Sequence, residues 1–247
     1  MILPPLSRLH PNGAWVLWGG HSPAGGLKYW TFERWLALHP ESVPGIVEMS
    51  GSSTALALGH LAKERGVPFT AVTDPNGAKH LDAHGFAGTI DVCTDMKDGF
   101  GRCEALAAKG WLWPRQLTNG ALADAVAHWA RELVEPLRAL GGARTILTGF
   151  GTGCTSVGLA RVLGPEGFEV RALQAAPGHP VPGWRHFETQ NLGERDAFWA
   201  HRNEITRDTA AEGPHESAFA ALRAGPWTDR SDVVLVAHDA KRPPDES

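Results

Sequence analysis

The chain has 247 residues, 43% hydrophobic and 20% charged, with 23 Lys and Arg against 27 Asp and Glu. That length can bury a substantial core as one large domain or two lobes, and the near-average composition excludes a largely disordered chain. A net charge of −4 gives no basic field for nucleic acid, and three cysteines without motif spacing (Cys93, Cys103, Cys154) exclude a disulfide scaffold and a cysteine-rich zinc site.

The opening Met1–Pro5 lacks a charged stretch followed by an apolar core, and no apolar run approaches the roughly 20 residues of a membrane helix. A soluble, cytoplasmic protein is therefore expected. Ala14–Trp18 reads as a short strand, and Leu27–Leu38 carries apolar and aromatic residues at helical spacing. Gly45–Met49 reads as a buried strand, followed by a Ser/Gly turn and the Ala-rich helix Thr54–Arg65, which stops at Gly66. Val67–Val72 is predicted as a strand, Lys79–Gly85 as a short helix and Thr89–Val92 as another strand.

From Gly120 to Leu140 the pattern is amphipathic, with Leu122, Val126, Trp129, Leu133 and Leu137 three or four residues apart. Pro136 is expected to kink or end this helix. Strand Thr145–Thr148, helix Ser156–Leu163 and strand Glu169–Ala175 follow. Ala176–Gly193 is rich in Pro, Gly and His and reads as an irregular loop. Helix Ser217–Arg223 and strand Asp232–Ala237 come last. The alternation implies an open, mostly parallel α/β sheet, in which ligands bind at the carboxyl ends of strands.

Twelve histidines raise the question of a metal. No His-Glu-x-x-His occurs. His80 and His84 could share a helix face, but no third ligand is marked near them, so a solvated face is expected and no metal site. Trp15, Trp18, Trp30 and Trp35 lie in apolar stretches and read as core.

Three segments could carry chemistry. Gly149-Phe150-Gly151-Thr152-Gly153-Cys154-Thr155 joins a strand to a helix, and closely spaced glycines there let backbone N–H groups converge on an anion at a helix N-terminus. A phosphate suits it; a tight structural turn would use the same glycines. A dinucleotide is disfavoured, because Cys154 replaces the third glycine of that fingerprint and no carboxylate follows Gln174-Ala175-Ala176. A Walker A triplet is absent. Ser50-Gly51-Ser52-Ser53-Thr54 is a second strand-to-helix turn, suited to a carboxylate or to ordinary N-capping. In Ser22-Pro23-Ala24-Gly25-Gly26-Leu27-Lys28 the lysine is flanked by Leu27, Tyr29 and Trp30. Desolvation there would favour a nucleophilic amine, while a snorkelling surface lysine is the plainer reading.

In this order the three segments resemble the fold-type II pyridoxal phosphate enzymes: cysteine synthases, cystathionine β-synthases, threonine and serine dehydratases and serine racemases. Ser22–Lys28 is similar to the family's lysine segment, Ser50–Ser53 to its Ser-Gly-Asn-Thr turn, and Gly151–Thr155 to its Gly-Thr-Gly-Gly-Thr phosphate loop. Leu3–Leu9 resembles the Thr-Pro-Leu-x-x-Leu opening, and Gln116-Leu117-Thr118-Asn119 the Gln-Phe-x-Asn segment of cysteine synthases. The chain departs from the pattern at Ser52, which stands where the family has the asparagine beside the cofactor's phenolic oxygen. Further departures are Met49 for a threonine and Tyr29-Trp30 for Asp-Arg.

The resemblance implies a two-lobed α/β fold of the tryptophan synthase β type. Residues 43–118 would form a smaller mobile lobe, and 1–42 with 119–247 the larger one. It implies pyridoxal 5'-phosphate held by Lys28, Ser52, Gly151, Thr152, Gly153, Cys154 and Thr155, with Glu216 or Ser217 facing the pyridine nitrogen. It implies an amino-acid substrate gripped by Ser50, Gly51, Ser53 and Gln116, and a homodimer. Lys28 would hold the cofactor and then take the α-proton, and a β-leaving group would depart to give an aminoacrylate, for elimination or replacement. Deamination or racemisation would use the same lysine, and a non-catalytic cofactor-binding relative is the reading from another class.

Overall fold

Apolar runs bounded by turn residues form the strands, and the amphipathic stretches between them form the helices. The structure, a computed structural model, describes residues 4–174, 206–209 and 217–241. Its elements are β1 (Leu6–Arg8), β2 (Trp15–Trp18), α1 (Lys28–Ala37), β3 (Ile46–Met49), α2 (Ser53–Arg65), β4 (Phe69–Thr73), α3 (Pro75–Ala83), β5 (Thr89–Val92) and α4 (Met96–Ala107). They continue with α5 (Ala121–Ala130), α6 (Val134–Ala139), β6 (Thr145–Phe150), α7 (Cys154–Leu163), β7 (Glu169–Gln174), β8 (Thr206–Thr209), α8 (Ala218–Ala224) and β9 (Val233–Ala237).

Six strands form one sheet in the order β1-β2-β9-β6-β7-β8, and β3-β4-β5 form a second. Every pairing is parallel except that of β1 with β2. A parallel bridge between Ile46 and Leu112 extends the smaller sheet beyond β3. Helices flank both sheets. The largest apolar cluster, which includes Phe32, Leu58, Trp129 and Leu159, joins α1, α2, α5 and α7. A second packs α8 on the outer face of the large sheet, and a third packs α4 against Val47 and Val72 of the small one. This is the expected α/β architecture of mostly parallel sheets with flanking helices.

Several elements differ from expectation for local reasons. Helix α3 begins at Pro75 rather than Lys79, because Asp74 caps it by accepting a hydrogen bond from Gly77 N at 2.7 Å and proline suits the first helical position. Helix α4 was not expected, since Gly99 and Gly101 interrupt its apolar pattern; the Asp95 cap, accepting from Asp98 N, starts it. The long amphipathic stretch is broken at a 3-10 turn, Arg131–Leu133, which ends three residues before the proline itself. Pro136 lacks an N–H and its ring crowds the carbonyl four residues back, so the chain tightens there and resumes as α6. Strands β1 and β8 were also unforeseen, and the Ala176–Gly193 loop lies outside the described residues. Trp18, Trp30 and Trp35 are buried, whereas Trp15 is only half-buried.

Helices α5 and α7 approach closely at Gly158, where an added Cβ would meet Val126 Cβ at 2.4 Å and Ala123 O at 2.5 Å. Gly158→Val should therefore lower stability by about 1–3 kcal/mol in urea unfolding. Gly101→Ala, on an exposed helical site with nothing within 4 Å of the added Cβ, should raise it by about 0.5–1 kcal/mol.

Candidate functional site

A cavity of about 630 Å³ opens between the carboxyl ends of the two sheets. Its lining includes Lys28, Ser50, Gly51, Ser52, Ser53, Gln116, Gly151, Thr152, Gly153, Thr155 and Ser217. The structure thus brings together residues from all three segments singled out in the sequence. Cys154 does not line it: its side chain, 3% exposed, turns inward and its thiol donates weakly to Gln116 O at 3.8 Å. Glu216 lies outside the described residues.

Lys28 is the first residue of α1, and its Nζ donates to Thr152 Oγ1 at 3.3 Å, facing the glycine loop. The expectation that Tyr29 and Trp30 desolvate it is corrected by helix geometry. Both aromatic rings point into the core, away from the lysine's face. What surrounds Lys28 electrostatically is His238 and Asp239, at the end of β9.

The loop after β6 turns into α7 at Gly153, whose φ of +80° is one that side-chain-bearing residues rarely adopt. That conformation ends the strand abruptly and leaves the first N–H groups of α7 directed at the cavity end, beside the Thr152 and Thr155 hydroxyls. On the other wall, Ser52 is the residue before α2, and its side chain makes no cap hydrogen bond. The hydroxyls of Ser50, Ser52 and Ser53 therefore cluster at a helix start. Ser217 lines the cavity but is engaged as a cap, its Oγ accepting from Ala220 N at 3.1 Å.

Gln116 is placed by a group that the sequence did not flag. Glu48, on β3 and 1% exposed, accepts from Met49 N at 2.8 Å, Trp113 Nε1 at 3.3 Å and Gln116 N at 3.0 Å. Arg115 takes φ +56° to aim this segment, the sole positive φ outside glycine among the described residues. Gln116 then donates from Nε2 to Met49 O at 3.1 Å and accepts from Thr54 Oγ1 at 2.6 Å. The second hydrogen on Nε2 remains for a ligand.

Two further residues were missed. His238 pairs its Nε2 with Thr148 Oγ1 at 2.8 Å; burial and then the Lys28 charge hold it neutral, with a pKa near 3. Asp239 opens onto the cavity, and desolvation raises its carboxyl to about 6 although Lys28 and His84 pull it down. The available signal was a polar pair directly after the apolar Val233–Ala237, at the strand end where parallel sheets bind ligands. Away from the cavity, His80 and His84 stack with ring centroids 4.2 Å apart on the exposed side of α3.

The family model described as "Pyridoxal-phosphate dependent enzyme" matches residues 3–238. The chain belongs to this family. Pyridoxal phosphate is thus its cofactor and the protein is an enzyme of the pyridoxal phosphate class. A search of curated proteins returned no significant match. Among solved structures, it is similar to an O-ureido-L-serine synthase (20% identity, TM-score 0.67, covering 96% of this chain and 89% of that one). It also resembles a hydrogen sulfide-producing enzyme from Fusobacterium nucleatum (16%, 0.68, 96% and 95%). A third is O-acetyl serine sulfhydrylase isoform 3 from Entamoeba histolytica (14%, 0.68, 96% and 85%). These likenesses establish a shared fold-type II architecture. No helix among the described residues is long and apolar enough to cross a membrane.

The Glu48 network gives a pH test. Burial raises this carboxyl from 4.5 to about 7 despite the donors around it. Because the folded value lies above the ordinary one, the Glu48 contribution to stability is full below pH 4.5 and declines as pH rises to about 7, by about 3 kcal/mol. Glu48→Gln does not titrate. The stability of the unaltered protein relative to this variant should therefore fall across that window in urea melts at several pH values.

Proposed function

We propose that this pyridoxal phosphate enzyme acts on a small amino acid by β-elimination or β-replacement. The single observation that carries the site assignment is Lys28 Nζ facing Thr152 Oγ1 at 3.3 Å across a cavity whose other wall is the Ser50–Thr54 turn. Two proteins of similar structure, an O-ureido-L-serine synthase and an O-acetyl serine sulfhydrylase, support the β-substitution chemistry.

The residues present suit the cofactor's chemistry. The α7 N-terminus and the hydroxyls of Thr152 and Thr155 form an anion pole for its phosphate, Lys28 is a primary amine for its aldehyde, and Ser52 lies on the wall where its phenolic oxygen would need a donor. When bound, pyridoxal phosphate supplies an electron sink that makes the α-proton of an attached amino acid acidic. Lys28 would hold the cofactor through its amine and, when that amine is free, would serve as the base that takes this proton and returns it. The N-terminus of α2 with Ser50, Ser53 and the spare hydrogen of Gln116 holds the substrate carboxylate, fixing which α-substituent faces the lysine.

The reading includes residues 43–118 as a smaller lobe that moves against the rest, which would let the Ser50–Ser53 turn close on the substrate. The family resemblance further supports a cytoplasmic homodimer, which sedimentation of the holoprotein checks.

Borohydride treatment of the holoprotein should bleach its visible band and leave the cofactor on the Lys28 peptide; a label on Lys79 or Lys109 would remove the assignment. Lys28→Ala should cut turnover by roughly 10²–10⁴-fold. Gly153→Val should weaken cofactor binding, since φ +80° is denied to valine and the loop N–H groups would turn away. An O-acylated serine with added thiol should yield an S-substituted cysteine. Pyruvate and ammonia alone would mark elimination, α-proton exchange of plain serine would mark racemisation, and no spectral response to any amino acid would favour a non-catalytic binder.

A further inference from the structure

We infer that Asp239, and not Ser217 or Glu216, is the residue that meets the ring nitrogen of the cofactor, and that this chain therefore presents a carboxylate there. The inference rests on the cofactor site just proposed and extends it to the one basic atom of the cofactor that the site has not yet matched.

Three aspartates line the cavity: Asp74, Asp95 and Asp239. Asp74 caps α3 by accepting from Gly77 N, and Asp95 caps α4 by accepting from Asp98 N. Both belong to the wall of the smaller sheet. The Asp239 carboxylate makes no hydrogen bond or ion pair among the described residues, and it lines the cavity from an exposed residue just beyond the end of β9. Lys28 acts on it only through charge, so its oxygens are left to accept from a donor bound in the cavity.

Backbone geometry ties it to the lysine. Leu27 N, in the residue before Lys28, donates to His238 O, in the residue before Asp239, at 2.8 Å. The two strand-end segments are thereby joined one residue short of each side chain. A Cβ on Gly26 would lie 2.7 Å from Asp239 Oδ1, so glycine at that position gives the carboxylate room against the lysine segment. His238 cannot take the role, because its Nε2 is committed to Thr148 and it is held neutral. Ser217 already receives a hydrogen bond as the α8 cap. Of the cofactor's functional groups, the phosphate has the glycine loop and the aldehyde has Lys28. The ring nitrogen has Asp239.

The chemical consequence is a proton. A ring nitrogen that takes a proton from water and donates it as N–H to an ionised Asp239 forms a charge-assisted pair, and the carboxylate keeps that proton on the ring. A hydroxyl would not. The cationic ring withdraws electrons more strongly from the α-carbon, so Lys28 meets a more acidic proton.

The test uses holoprotein reconstituted with pyridoxal phosphate labelled with ¹⁵N in the ring. The nitrogen resonance of the unaltered protein should be that of a protonated ring; Asp239→Ser should move it to the unprotonated position, and Ser217→Ala should leave it unchanged. An unprotonated nitrogen in the unaltered protein overturns the assignment, as does a shift produced by Ser217→Ala but not by Asp239→Ser. Where Asp239→Ser does not fold, the unaltered apoprotein decides. It should bind the 1-deaza analogue, in which CH replaces the nitrogen, roughly 10- to 100-fold more weakly than the cofactor, and equal affinity overturns the proposal. Borohydride labelling separates the two levels: with the label on Lys28 the nitrogen result judges Asp239 alone, whereas a label elsewhere overturns both.

Discussion

The position of one strand governs the site. β9 lies between β2 and β6, in parallel register with both, so that Trp18 pairs with Ala237 and Thr148 with Val236. Parallel strands end together, and their carboxyl ends therefore deliver the lysine segment, the His238-Asp239 pair and the glycine loop to one edge of the sheet. The hydrogen bond from Leu27 to His238 locks two of these together. No loop alone could hold an amine, an anion pole and a carboxylate in fixed relation; three adjacent strand ends do so with the rigidity of a hydrogen-bonded ladder.

The facing wall is held by different means. There the chain from Trp113 to Gln116 runs beside β3 with only one bridge of sheet pairing, and a buried carboxylate supplies what a longer ladder would have given. Glu48 gathers donors from both sides of that seam. Such a group is specific because it is expensive: a buried acceptor tolerates few arrangements other than the one that satisfies it. The wall that carries Gln116 thus owes its shape to a polar knot inside an apolar strand, whereas the wall that carries Lys28 owes its shape to strand register.

Much of this was legible in the sequence, and the failures have physical causes. Strand Thr89–Val92 and the strand–glycine–helix unit around Gly153 were readable because apolar runs and glycines mark them locally. The α/β class and the family followed from the same punctuation. Helix α4 was not readable, since Gly99 packs against Cys93 and Met49 and so belongs to tertiary contact rather than to helical propensity. Lys28 was singled out for its neighbours Tyr29 and Trp30, but sequence adjacency says nothing about which helix face is buried. Asp239 was missed because the ring-nitrogen partner was sought near Ser217, and only the register of β9 brings a residue so distant in the chain beside Lys28.

That same register imposes an order of assembly. β9 is an inner strand of the large sheet, yet it follows β2 and β6 in the chain, with Trp15 waiting for Val234 and Thr145 for Val233. Until residues 233–237 have left the ribosome, β2 and β6 each present an open edge with unpaired backbone groups facing the gap between them. The contacts that close it are among the longest-range in the fold, and such contacts form slowly. A nascent chain therefore cannot assemble the cofactor pocket piecemeal. The sheet edge that carries Lys28 and the glycine loop is complete only when β9, made after both of its neighbours, has closed the gap between them.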